Sequence, residues 1–344
     1  MDQRRVAVDA MGGDNAPAAV VEGAVAAARD FRIGVTLVGV EATIRRELAK
    51  HGPAPAGLEV VHAPTVIGMD AHATASMRHK RDSSVAVGVN LVKSGGAAAF
   101  VSAGNSGATM AIATLTLGRQ PGIDRPALGT VFPGSAGRFL LLDVGANADS
   151  KPGYLVQFAM LGRTYAEQAL RIVNPRVGLL NIGEEPGKGG EFAREVFDRL
   201  AALPDLNFVG NIEGKDLTAN LADVVVTDGF TGNVAIKTAE GVAEFILREL
   251  RGTLTAKLRY KLAAMVLRPA LLALRTRIDY AEYGGAPLLG LNGAVLISHG
   301  RSNARAIRSA VRVAHEAGAT SFVGPAPAGA QSASLRAAGS GDAS

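Results

Sequence analysis

Short apolar runs, each ending in glycine mixed with Asp, Asn, Ser or His, constrain this chain more than any other feature. Val6-Ala-Val-Asp9 runs into Ala-Met-Gly-Gly-Asp14, and Ala97–Val101 into Ser102-Ala-Gly-Asn-Ser-Gly107. Phe139–Asp143 runs into Val-Gly-Ala-Asn147, Val177–Leu180 into Asn181-Ile-Gly-Glu-Glu185, and Phe208-Val209 into a turn reaching Asp216. Val224–Val226 leads to Asp228-Gly-Phe-Thr-Gly-Asn233, and Val295–Ile297 to Ser-His299-Gly-Arg-Ser-Asn303. Unbroken apolar runs suit strands covered on both faces, as in parallel sheets. Val35–Val38 and Leu58–His62 read as further strands, and helices are expected after Asn15-Ala-Pro17, from Glu41, from Ser83 or Ser84, and over Ala108–Leu117. The spacing varies too much for a solenoid repeat. The expected fold is three-layered α/β/α with a mostly parallel sheet. In open α/β sheets, ligands bind at the carboxyl ends of the strands. Any one polar ending is ordinary turn and cap chemistry, but so many together point to a shared site.

The ending Ser102–Gly107 is the most informative. Gly104 and Gly107 permit a tight turn and close backbone approach, and Asn105 or Ser106 can cap the following helix. The free N–H groups of a helix start favour an anion, and phosphate is the natural guest.

The chain has 344 residues, 48% of them apolar and 19% charged, as expected of a globular protein with a large core. It contains no Cys, which excludes disulfides and thiolate chemistry. Arg4-Arg5 leads straight into a strand, so no secretory signal is expected at the start. No apolar run reaches the roughly 18–20 residues of a membrane span. The net charge is +5, and its location decides what it serves. Arg251–Arg277 carries seven Lys or Arg and no acid. Leu254, Leu258, Leu262 and Met265 fall at helical spacing, and Pro269 is expected to break or restart the helix. This reads as two short basic amphipathic helices, with Lys257, Arg259, Lys261 and Arg268 suited to an anionic membrane or an acidic protein rather than nucleic acid. A dimer-forming helical pair with solvated basic flanks fits equally. From Gly324 the Pro-, Ala-, Gly- and Ser-rich tail reads as disordered. The expected organisation is one catalytic α/β domain over 1–323, with 251–277 as a basic helical insertion and 324–344 as the tail.

No Ser-His-Asp set, His-Glu-x-x-His run or Walker loop is present, and no Gly-x-Gly-x-x-Gly follows a strand. Of six His, His299 alone ends a strand in a Gly-rich turn. Lys80, Lys151 and Lys188 lie beside turns, where a lysine can bind phosphate. Asp9, Asp14, Asp143 and Asp228 are candidate acid–base groups or caps.

Val8-Asp-Ala-Met-Gly-Gly-Asp14, Ser102–Gly107, Asp143–Asn147, Asn181–Glu185, Asp228–Asn233 and Tyr283-Gly-Gly-Ala-Pro-Leu-Leu-Gly290 together resemble the PlsX family, bacterial phosphate acyltransferases, in order across roughly residues 5–320. Asn15 stands where the family usually has His, and Ser106 where it usually has Thr. The resemblance implies that acyl-(acyl carrier protein) and inorganic phosphate give acyl phosphate and free carrier protein. It also implies a cytosolic, peripherally membrane-associated homodimer that feeds a membrane glycerol-3-phosphate acyltransferase. The implied fold is that of phosphotransacetylases and isocitrate/isopropylmalate dehydrogenases, with the basic helical pair protruding. No metal or cofactor is expected, and no ATP is needed, because an activated thioester is exchanged for an activated anhydride.

On that basis Lys80, Ser102, Gly104, Ser106 and Gly107 are expected to bind phosphate, and Asn105, Asp228, Asn233 and Lys188 to act in catalysis. Asp9, Asp143, Asn147 and His299 are further candidates. Two other functions are compatible with the sequence: a metal- and NAD-dependent dehydrogenase of the isopropylmalate type, and a non-catalytic membrane or carrier-protein adaptor.

Overall fold

The computed structural model describes residues 4–71, 81–278 and 284–320. Lys80, Tyr283 and the tail from residue 324 lie outside them. Among the described residues the strands are β1 (Val6–Asp9), β2 (Val35–Gly39), β3 (Leu58–His62), β4 (Ala99–Ser102), β5 (Ala127–Pro133), β6 (Arg138–Leu142), β7 (Val177–Asn181), β8 (Phe208–Glu213), β9 (Val224–Val226), β10 (Ala286–Leu289) and β11 (Ala294–Ile297). The helices are α1 (Ala18–Phe31), α2 (Glu41–Leu48), α3 (Ser84–Lys93), α4 (Ser106–Leu117), α5 (Pro152–Gln168), α6 (Glu191–Ala201), α7 (Gly229–Thr255), α8 (Leu258–Ile278) and α9 (Ala304–Thr320).

One sheet holds these strands in the order β3-β2-β1-β4-β11-β10-β5-β6-β9-β7-β8. β3, β2, β1, β4 and β11 are mutually parallel, as are β6, β9, β7 and β8. Between them β10 pairs antiparallel with β11 and β5, and β5 pairs antiparallel with β6. The two parallel halves therefore run in opposite directions. β10 touches β11 with Ala286 and Pro287 and β5 with Leu288 and Leu289, a staggered seam. The seam brings the carboxyl ends of β4 and β11 toward those of β6 and β9.

Alternation along each strand separates the layers. Val6 and Val8 of β1, with Ala99 and Val101 of β4, pack on α1 and α9. Ala7 and Phe100 face the opposite way, onto α3 and α4. Phe100 is fully buried, and α3 fits over it only because position 88 is glycine: a Cβ there would lie 2.2 Å from its ring. In the other half, Leu140, Leu142, Val224 and Val226 pack on α5 and α6. Phe139, Leu141 and Val225 share the first half's core with Ile236 of α7. That continuous core underlies the site.

Three expectations are corrected. β5 and β10 were not anticipated. The helix entering the basic segment begins at Gly229 and runs 27 residues, not as a short helix from 251. Pro269 does not break α8, which runs 21 residues through it. That turn is exposed, with Met265 at 67%, so water can replace the hydrogen bond the proline ring removes. Within the described residues no helix is long and apolar enough to cross a membrane.

Candidate active site

Asp9 ties two of the strand ends together. Its buried carboxylate accepts from Ser102 Oγ at 2.8 Å and from the Met11 N–H at 3.1 Å, and Ser102 Oγ accepts from the Gly104 N–H at 3.0 Å. Gly12 lies so close that a Cβ would come within 2.4 Å of Asp9 Oδ2 and 2.7 Å of the Gly104 nitrogen. Burial raises the Asp9 pKa despite hydrogen bonds from Ser84, Ser102, Met11 and Gly12. Asp9, Ser102 and Gly104 thus form the frame behind the loop before α4.

Asn105 caps α4. Its Oδ1 accepts from the Ala108 N–H at 2.9 Å, and its Nδ2 donates to the carbonyls of Met69 and Ala71, each at 2.9 Å. The side chain is fully engaged, and Ser106, exposed at the first position of α4, faces the space above it. Gly107 follows in the same first turn, where N–H groups have no partner inside the helix.

Across the seam, Asp143 organises the loop after β6. Fully buried, it accepts from the N–H groups of Leu128, Gly145, Ala146 and Asn147 and from Asn147 Nδ2, at 2.8–3.2 Å. Burial raises its pKa against these bonds. Asn147 Nδ2 also donates to the Pro126 carbonyl at 2.8 Å, and the Asn147 carbonyl accepts from the Gly229 N–H at 2.9 Å. Asp228 caps α7 by accepting from the Thr231 N–H at 2.8 Å. The capped helix then presents Asn233, Lys237 and Glu240 along one face.

The β11–α9 loop closes the arrangement. The Arg301 N–H donates to His299 Nδ1 at 3.1 Å, and Lys237 Nζ lies 3.2 Å from His299 Nε2. Lys237 Nζ also donates to Glu240 Oε2 at 2.8 Å. Burial, followed by Lys237, holds the His299 pKa below its ordinary value. Asn15 Nδ2 donates to the Arg301 and Ser302 carbonyls at 3.3 and 3.2 Å, so the family's imidazole position serves here to fasten this loop.

These loops surround a cavity of about 250 Å³. Its apolar lining comes from Met110, Leu128, Val131, Phe132 and Ile236. Its polar lining comes from Ser106, Asn233, Lys237, Glu240, Ser298 and His299. Of the residues expected from sequence, Ser106, Asn233 and His299 line the cavity, while Asp9, Ser102, Gly104, Asn105, Asp143, Asn147 and Asp228 build the loops around it. Lys188 is not among the lining residues; it pairs with Glu185 at 3.8 Å, and its carbonyl accepts from Asn181 Nδ2. Lys237, Glu240 and Ser298 were missed. The signal for two of them was present, since positions 233, 237 and 240 share one helical face.

The family model described as "Fatty acid synthesis protein" matches residues 4–324. The chain is 50% identical over 312 residues to the phosphate acyltransferase of Geobacter sulfurreducens, covering 91% of this chain and 90% of that protein.

The chain belongs to the phosphate acyltransferase (PlsX) family.

The phosphate acyltransferase of Desulfitobacterium hafniense is 49% identical over 320 residues, 93% of this chain and 95% of its own. The fold is shared more widely. A phosphotransacetylase from Streptococcus pyogenes superposes with a TM-score of 0.62 at 18% identity, over 92% of this chain and 94% of its own. A 4-hydroxythreonine-4-phosphate dehydrogenase from Klebsiella pneumoniae gives 0.54 at 13% identity, over 92% and 100%. The expected dehydrogenase-like α/β fold is therefore present, and the acyltransferase family places this chain among enzymes.

Proposed function

We infer that the cavity transfers a fatty acyl group from acyl-(acyl carrier protein) to inorganic phosphate. An oxygen of hydrogen phosphate attacks the thioester carbon, the C–S bond breaks, and the proton of the phosphate ends on the departing sulfur. The products are acyl phosphate and the free thiol of the carrier. Because phosphate is itself the nucleophile, the protein's task is electrostatic and positional. Two negative centres must be held together: the phosphate and the oxyanion that develops on the thioester.

The observation that carries this reading is one cavity whose lining combines the start of a capped helix at Ser106 and the Asn233 side chain with apolar side chains. The unpaired N–H groups of α4, with Ser106 and Gly107, suit the phosphate. The Asn233 amide suits the developing oxyanion, a donor typically worth about 10²–10³ in rate. Fixing phosphate against the thioester contributes up to about 7–11 kcal/mol by removing translational freedom before reaction. Ser102, Gly104, Asn105 and Asp228 orient these donors, and Lys80 and Lys188 add positive charge in this reading. The apolar lining residues take the first carbons of the acyl chain in this reading. The deciding experiment is acyl phosphate formation from purified acyl carrier substrate and phosphate; folded protein without turnover would overturn the assignment.

The same reading places the enzyme in phospholipid synthesis, as a cytoplasmic homodimer at the membrane surface whose product passes to a membrane glycerol-3-phosphate acyltransferase. Two observations support a covered, partly basic helical pair. Phe245, Ile246, Leu258, Leu262 and Val266 are each more than half exposed on α7 and α8. At the turn between the helices, Lys257 and Arg259 both lie over the Tyr260 ring, 5.9 and 4.9 Å from its centre. Lys261 follows one residue on, while Arg268 lines a groove of about 610 Å³ between the helices. Cations gathered at one tip suit an acidic carrier protein or an anionic bilayer. The dehydrogenase reading gains nothing from the fold likeness, which is shared across different chemistries.

A further inference from the structure

A second concave surface adjoins the cavity. Thr114 and Leu115 of α4, the connection from Gly118 to Pro126 and the start of α5 line a groove of about 980 Å³. Met110 lines the cavity, and its carbonyl accepts at 2.7 Å from Thr114 Oγ1, one helical turn on and in the groove. Leu128 lines the cavity and Pro126 lines the groove. The connection between α4 and β5 is held in place. Asn292 Nδ2 donates to the Arg119 carbonyl at 2.9 Å, the Gln120 N–H to the Gly290 carbonyl at 2.9 Å, and the Arg119 guanidinium to the Asp124 carbonyl.

Arg119, Arg125 and Lys151 line this groove, each exposed, and none has a carboxylate partner among the described residues. Exposed cations elsewhere do pair, as Arg45 with Glu41, Lys50 with Glu47 and Lys215 with Glu213. The one acid lining the groove, Asp124, is held by a buried amide instead of a cation: its N–H donates to Gln157 Oε1 and its Oδ2 accepts from Gln157 Nε2, each at 2.8 Å. Three cations gathered without counter-charges make a field that attracts acidic groups from outside.

We propose that this groove is the docking surface for the acidic acyl carrier protein, whose carboxylates meet Arg119, Arg125 and Lys151 while its acyl thioester passes along α4 into the cavity. The proposal rests on the acyl-transfer reading and says where the donor lands. Complementary charge at that distance from the chemistry speeds encounter and fixes register. A bilayer does not suit the groove, which is concave and has Leu115 as its one exposed large apolar side chain, whereas α7 and α8 present several.

The test uses the purified full-length chain with purified acyl carrier protein. The double variant Arg125→Glu, Lys151→Glu is expected to weaken carrier binding in calorimetric titration, and to raise the carrier KM, by about ten- to a hundredfold, because attraction becomes repulsion. The phosphate KM and the thermal midpoint should not move. The unaltered chain should lose carrier affinity as salt rises, and the double variant should not. A carrier with acidic side chains reversed to Lys should bind the double variant better than the natural carrier does. Carrier binding unchanged in the double variant, a change in the phosphate KM alone, lost binding to anionic phospholipid vesicles with carrier binding intact, or no carrier binding by the unaltered chain each overturns the proposal. If carrier binding depends on the groove but the unaltered chain makes no acyl phosphate, the docking surface stands and the acyl-transfer reading falls.

Discussion

A Cβ added to Gly232 would lie 1.9 Å from the carbonyl oxygen of Asp143. The first turn of α7 therefore rests backbone to backbone on the loop after β6. That contact fixes where Asn233 and Lys237 stand relative to Gly145.

Gly232→Ala cannot be absorbed by a rotamer change, because the clashing atom is backbone. Moving the helix costs about 1–3 kcal/mol or more by analogy with overpacked cores. The expected outcome is a lower denaturation midpoint and a loss of acyl transfer larger than the stability loss explains. Wild-type activity in a folded Gly232→Ala protein would show that the contact does not position the site.

Asp143→Ala removes the acceptor for five hydrogen bonds and leaves buried N–H groups unsatisfied. A loss of more than about 3 kcal/mol is expected in chemical denaturation. A change below 1 kcal/mol, on the order of a single surface substitution, would contradict the structural role assigned to this carboxylate.

The two caps should differ. Asp228→Ala loses one cap bond, worth about 1 kcal/mol. Asn105→Ala loses its cap and also strands the carbonyls of Met69 and Ala71, so it should cost more. Thermal melts of the two variants decide the order.

Stability should fall with acid in two windows. His299 has a folded pKa below the ordinary 6.5, so the unfolded chain takes up the proton first; stability declines as pH drops below 6.5 and stops declining at the folded value. Lys237, Glu240, Arg301 and Asp14 are the charged groups that set that folded value. At Asp223, burial pushes the carboxyl up, but the Arg176 side chain and backbone outweigh it and hold the pKa below 3.8. That pair's stabilisation is present above 3.8 and is lost as pH falls through the folded value. Denaturation midpoints against pH for His299→Gln and Asp223→Asn should each lack one window.

Neutralising Lys257, Arg259 and Lys261 together should reduce binding to anionic vesicles while acyl phosphate formation from a soluble donor persists. Vesicle binding equal to the unaltered chain would remove these residues from the membrane reading.

The parallel strands were legible because each is a short apolar run, and their endings because glycine and capping residues punctuate them. β5 and β10 were not: Ala127–Pro133 and Ala286–Leu289 contain Gly or Pro and do not alternate, and the pairing that joins them to each other spans far-apart parts of the chain. Pro269 misled in the other direction, since an exposed helix tolerates the bond it removes.

The amino-acid order by itself determined the layers, the family and the capped loops that surround the cavity, because local patterning and backbone punctuation specify each of these. It did not determine which side chains meet. Lys237 and His299 are 62 residues apart and become neighbours only because the antiparallel seam turns one half of the sheet against the other. Encounters between helix faces and distant strand ends are set by that long-range register, and the tertiary structure alone decides it.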